Sequence, residues 1–196
     1  MTSESKESRV QRCLSEVEKH PKSATAQFNL GLAYTAQGFV NRSEAAYRKA
    51  LEIDPDLVEA WVNLGGSLLL KWDFQGSLEA NREAVKRRDD LLLAHYNMGQ
   101  AYLYLGDAEG LTACCRRVIE LDPEHAAGHY YLAVGLLALD RLREAREALG
   151  QAMALGHRPT PEFLRGLERA EKKTGSNELK LVNNIGAEAP QESKEK

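Results

Sequence analysis

FNLGLAYTAQG begins at Phe28, VNLGGSLLLKW at Val62, YNMGQAYLYLG at Tyr96 and YYLAVGLLALD at Tyr130, and the four align without a gap at a shift of 34 residues. Leu30, Leu64, Met98 and Leu132 form a large apolar column. Gly31, Gly65, Gly99 and Ala133 follow as a small one. Ala33, Ser67, Ala101 and Gly135 are again small, and Tyr34, Leu68, Tyr102 and Leu136 again large. Downstream the pattern returns in a compact column of Ala50, Ala84, Val118 and Ala152, beside a variable one of Tyr47, Asn81, Cys115 and Leu149. Two units close on nearly the same phrase, ALEIDP at Pro55 and VIELDP at Pro123. A fixed period of this length marks one supersecondary unit repeated along the chain.

Within each unit apolar residues recur three and four apart in both halves, the period of a helix with one buried face. Gly38 and Gly106 punctuate the middle, where a chain leaving a helix takes a left-handed conformation. Asn41 with Glu44, and Asp107, suit the start of a second helix. Pro55 and Pro123 stop it. The small columns let the two helices approach, because a large side chain of one docks over a Gly or Ala of the other. These residues resemble the tetratricopeptide repeat, a helix-turn-helix unit of 34 residues. The resemblance implies an all-α, right-handed α-solenoid with units at residues 24–57, 58–91, 92–125 and 126–159, the fourth the most divergent. In the family's Trp column stand Gln27, Trp61, His95 and His129. Trp72 and Asp140 take the place of the inter-helix Gly, and Asp89 and His157 that of the closing Pro.

The ends of such an array must cover faces that interior units bury. Residues 1–23 carry Val10, Cys13, Leu14 and Val17 on one face, a capping helix that stops at Pro21 and matches the second helix of an incomplete unit. Residues 160–175 carry Phe163, Leu164 and Leu167, a second capping helix. With four pairs between them the count is about ten helices. Residues 176–196 turn polar and charged and are expected to form a disordered tail, interrupted by the short apolar island Leu179–Gly186.

Composition narrows the function. Basic and acidic residues nearly balance, at 26 against 29, so no field favours nucleic acid or an anionic membrane. No stretch is apolar enough to insert in a membrane and the start lacks a secretory pattern, so a cytoplasmic setting is expected. Three cysteines, Cys13, Cys114 and Cys115, follow no metal or redox spacing. Cys115 falls in a packing column and Cys114 is expected to face water. His125 and His129 stand four apart, but without an evident third ligand they are assigned to structure, and no metal or cofactor is expected. No nucleophile-base arrangement or Gly-rich phosphate loop is present, and the repeats and caps occupy nearly the whole chain, so an enzyme is disfavoured.

What remains on the first helix of each pair is the candidate lining of a groove. One column is Asn29, Asn63 and Asn97, with Tyr131 in the fourth place; a second is Phe28, Val62, Tyr96 and Tyr130; a third is Leu32, Gly66, Gln100 and Val134. Tyr104 lies nearer the far end. Side-chain amides both donate and accept, so an asparagine row could pair with the backbone of an extended peptide. Similar rows line the inner surface of some peptide-binding members of the family. Tyrosines add area and a polar tip, and Gly66 beside Gly65 leaves room for one anchoring side chain. Thr25, Glu59, Leu93 and Ala127 stand where relatives that grip carboxylates carry cations, so an apolar or neutral segment is the expected ligand. The peptide-binding set is therefore Phe28, Asn29, Leu32, Asn63, Gly66, Tyr96, Asn97, Gln100, Tyr104, Tyr130 and Tyr131. The expected role is a scaffold, adaptor or assembly factor; a homo-oligomeric scaffold held by apolar ends or by Trp72 is the alternative.

Overall fold

A computed structural model describes the backbone of residues 3–187 and the side chains of residues 9–174. Among the described residues there are ten helices and no strand. The lone first helix α1 (Ser3–Lys19) is followed by the pairs α2 (Ala24–Thr35) and α3 (Val40–Ile53), and α4 (Val58–Leu70) and α5 (Phe74–Arg87). Then come α6 (Leu92–Leu105) and α7 (Ala108–Leu121), α8 (Ala126–Ala138) and α9 (Leu142–Ala154), and α10 (Pro161–Ala187). Each helix packs on the next in sequence, and α4 also meets α6 and α6 meets α8. That extra contact puts the first helices of the pairs on the inner side of the curve.

Four turns carry the chain from first to second helix with one backbone shape. Gly38 and Gly106 sit at φ 77° and 75°, and Trp72 and Asp140 at 63° and 58°. A non-glycine residue there costs roughly 1–2 kcal/mol. Asp73 and Asp107 then cap the next helices, accepting from the N–H groups of Gly76 and Gly110 at 2.9 and 2.8 Å. The expected cap at Asn41 is absent: α3 begins earlier, after Phe39, with no side-chain cap. Glu44 is drawn instead to Lys71 and Arg48, at 2.6 and 2.9 Å.

Inside each pair the small column meets the variable one. The Tyr47 ring lies on the backbone of Gly31 so closely that a Cβ there would overlap it, and the Asn81 amide does the same at Gly65. Gly99 has more room, with Cys115 Sγ at 3.7 Å from the position of a Cβ. Ala133 and Leu149 share one buried cluster. The Trp column keeps one polar bond through three units. Trp61 Nε1 donates to the Pro55 carbonyl at 2.8 Å, and the Nε2 atoms of His95 and His129 meet the carbonyls of Asp89 and Pro123 at 2.8 and 2.9 Å. Imidazole thus replaces the N–H of indole but not its area.

At the ends, Val10, Cys13, Leu14 and Val17 pack α1 onto Leu30, Ala33 and Ala46. Leu167 and Phe163 seat α10 on α8 and α9, and Arg146 reaches Glu171 across the cap. The backbone of α10 stays helical beyond Gly175 as far as Ala187, which corrects the expectation of a disordered tail from residue 176. The side chains of the island Leu179–Gly186 and the whole of residues 188–196 lie outside the described residues.

Candidate peptide-binding face

The asparagine row does not behave as a row. Asn29 is exposed. Asn63 is half-buried and turns its amide onto its own helix, donating to the Glu59 carbonyl at 2.7 Å. Asn97 is buried at 6% exposure, against the expectation that it lines the groove. Its Nδ2 donates to Asn81 Oδ1 at 3.3 Å and to the Val62 carbonyl at 3.4 Å, while Asn81 donates to the Ser77 carbonyl at 2.8 Å. These groups form a closed polar network between α4, α5 and α6. Removing one member strands the next, since a buried unpaired polar atom costs about 1–3 kcal/mol. Asn97→Ala should therefore lower the unfolding free energy by that amount and the urea midpoint with it, with Asn29→Ala leaving both in place. An unchanged midpoint for Asn97→Ala would return that residue to the groove lining.

Three other expected positions also serve the stack. Phe28 packs on Tyr47 with the rings tilted at 44° and their centroids 5.8 Å apart, and Leu32 joins it against the same buried cluster. At Gly66 a Cβ would meet only Asn97 Nδ2, at 3.7 Å, so the gap is shallow and floored by an amide already engaged. None of the three is wholly covered.

The aromatic residues come together instead. Tyr96 on α6 lies 6.0 Å from Tyr131 on α8 and 5.1 Å from His125, and interacts with Gln100. Tyr131 contacts Tyr130 at 5.7 Å and is close enough to Tyr104 to feel its charge. Tyr130 stacks on His157 at 4.2 Å and meets Phe163 edge-on at 5.3 Å. Tyr104 stacks flat on Phe74 at 4.6 Å, and Trp72 stands edge-on to both. The aromatic band thus consists of two ring clusters, Trp72, Phe74 and Tyr104 at the turn of the second unit, and Tyr96, Tyr131, Tyr130 and Phe163 from the inner helices to the C-terminal cap. Its near corner, walled by Leu69, Leu70, Trp72, Phe74, Gln100 and Tyr104, encloses about 210 Å³. Trp72 is 72% exposed, Leu70 66% and Tyr104 58%. Phe74 and His157 are absent from the lining expected from sequence; Trp72 in a glycine position was the available signal.

Chemically the face is apolar and neutral. Burial, ahead of neighbouring charges, pushes the Tyr131 hydroxyl up to about 12 and raises that of Tyr96. Cys114 is buried, contrary to expectation, because α7 lies between α6 and α8; burial raises its thiol to about 11 and that of Cys115 to about 12. Burial raises Tyr47 as well. All five groups keep their protons in the folded chain at a pH where the unfolded chain loses them. Their contribution is complete below about pH 9 and declines as pH rises through the folded values. The thermal midpoint should hold from about pH 7 to 8.5 and fall from about pH 9 to 11; a level profile through that range contradicts the assignment.

Among the described residues no group of three His, Cys, Asp or Glu is placed to hold a metal. His125 Nδ1 accepts from the Gly128 N–H at 2.9 Å, and His129 holds the Pro123 carbonyl. No helix among them is long and apolar enough to cross a membrane.

Paired helices in register, with a groove-side face and a cap at each end, define a helical-repeat protein. Models of the tetratricopeptide repeat match residues 24–57 and 92–125, so the chain carries tetratricopeptide repeats in its first and third units. Solved structures share the fold. MamA from Desulfovibrio magneticus RS-1 is 21% identical with a TM-score of 0.67, covering 78% of this chain and 93% of its own. PilF of Pseudomonas aeruginosa is 18% identical with a TM-score of 0.68, over 89% and 86%. YrrB, described as a TPR protein with an unusual peptide-binding site, is 17% identical with a TM-score of 0.69, over 74% of each chain. No curated protein matches the chain by sequence.

Proposed function

We propose that this protein is a non-catalytic scaffold that holds an apolar or neutral segment of a partner protein against its inner face. The carrying observation is the aromatic band, and above all its exposed corner at Trp72, Leu70 and Tyr104. Large exposed apolar patches on soluble proteins mark interaction sites. YrrB, of the same fold, is described as having a peptide-binding site, which supports the reading. The ligand is anchored by rings from Trp72 to Tyr130, with the hydroxyls of Tyr96 and Tyr131 supplying polar contacts.

Selection of random displayed peptides on the purified protein tests this. Enriched sequences should be uncharged at their centre with two spaced apolar anchors, and Tyr131→Ala should weaken them at least about tenfold, the loss of one interface anchor. Enrichment of acidic peptides, or equal binding to Tyr131→Ala, overturns the reading. Met153, exposed on α9, and Leu155, exposed just after it, favour a second reading in which copies associate end to end. Light scattering at two concentrations, with Met153→Lys as the variant, separates the two.

A further inference from the structure

The outer side of the solenoid carries a groove independent of the aromatic band. It lies between α7 and α9 over α8, encloses about 630 Å³, and has Ile119, Leu132, Leu136 and Ala148 among its walls with His129 at one side. The second unit shows what normally fills this position. There Trp61 packs on the cluster that contains Leu51 and Leu64, which are only 7% and 5% exposed. The Arg87 guanidinium covers the other face of the indole, 5.5 Å from the ring centre. The fourth unit has less of this cover: His129 makes the backbone bond but is smaller, Arg87 is replaced by Leu155, and Ile119 and Leu132, the counterparts of Leu51 and Leu64, are only half-buried.

The rim sets the chemistry of an occupant. Arg116 and Glu144 face each other at 3.8 Å, Glu144 also holds Arg141 at 2.5 Å, Glu147 holds Arg143 at 3.2 Å and Glu120 holds Arg117 at 3.0 Å. These charges already have partners, so the rim calls for neither a cation nor an anion, and an ion entering over the apolar floor would be desolvated without compensation. We propose that this outer groove takes a single flat aromatic side chain of a partner peptide, a tryptophan above all, in the place where the second unit uses its own Trp61. The volume exceeds one indole, and the remainder receives the peptide backbone on either side.

The probe is the capped tripeptide glycyl-5-fluorotryptophanyl-glycine, followed by fluorine NMR with the full chain. A saturable shift is expected with the wild type. His129→Trp, which places the chain's own indole in the slot and keeps the bond to the Pro123 carbonyl, should weaken binding at least about tenfold, a hot-spot loss. Lys49→Ala, at an exposed position on α3 in the first unit, should leave it unchanged. Should His129→Trp disturb folding by circular dichroism, Ile119→Gln carries the same test by making the floor polar. The proposal is overturned by no saturable shift with the wild type, by equal binding to the groove variants, or by loss in Trp72→Gly alone, which would assign the ring to the inner corner.

Discussion

Replacing Tyr47 with alanine should lower the free energy of unfolding by about 3–5 kcal/mol, the range for deleting a large buried aromatic. Tyr47 is wholly buried, and its cluster joins Ala50 and Leu51 of the first unit to Ala60, Leu64, Leu68 and Ala80 of the second. Its hydroxyl bonds Thr35 Oγ1 at 2.8 Å, and Thr35 in turn donates to the Gly31 carbonyl at 3.1 Å. In a repeat array stability is a sum of units and nearest-neighbour interfaces. Loss of this side chain therefore weakens both the first unit and its junction with the second. Urea unfolding followed by circular dichroism should show the transition shifted and split, α1 to α3 melting first. Tyr47→Phe, which removes only the hydroxyl bond, should cost about 0.5–1.5 kcal/mol. Gly31→Ala supplies the coupling test, since a Cβ there collides with the Tyr47 ring. It should destabilise the wild type and be nearly neutral with Ala at position 47, the non-additivity expected of touching residues. Additive effects would mean that Gly31 and Tyr47 do not support one another.

The repeat was legible because packing columns carry their own period. Gly31, Gly65, Gly99 and Ala133 lie where helices cross, facing Tyr47, Asn81, Cys115 and Leu149, with the closest fit at Gly31 and Gly65. The start of α3 was less legible because Glu44 had a competing use. Its carboxyl is held by Lys71 from the next unit, a contact across 27 residues that no local pattern announces. The continuation of α10 past Gly175 was missed for a similar reason: a polar composition argues against a core, not against a helical backbone.

The binding face was only half legible, and the asparagines show why. A column shares a place on the helix but not a set of neighbours. The second helix before each asparagine presents Cys13 to Asn29, Tyr47 to Asn63 and Asn81 to Asn97. Cys13 donates to the Asn29 backbone carbonyl at 3.7 Å, and the Tyr47 hydroxyl is engaged by Thr35. Asn81 alone offers an acceptor oxygen to the following amide, so Asn97 closes inward. Tyrosines were easier to assign, since a ring of that size on an inner helix must contact the next helix or solvent, and Tyr96 and Tyr131 do both.

Trp72→Gly should reduce the affinity of a peptide selected on the wild type by about 30-fold or more, a hot-spot loss of about 2 kcal/mol, while moving stability by no more than about 1 kcal/mol. Two opposed effects keep the fold level. Glycine relieves the positive φ of 63°, a gain of roughly 1–2 kcal/mol. Against it stand the edge contacts with Phe74 and Tyr104, about 0.5–1.5 kcal/mol each where well formed, and weaker on a ring so exposed. The other turns show that the backbone needs no indole there, because Gly38 and Gly106 make the same bend. A tryptophan in a glycine position, open to water over most of its surface, contributes little to the fold and much to a surface that another chain can cover. Calorimetric titration and thermal unfolding of the same preparation measure both sides. Unchanged affinity would remove the corner from the binding face, and a collapse of stability would make Trp72 a structural residue.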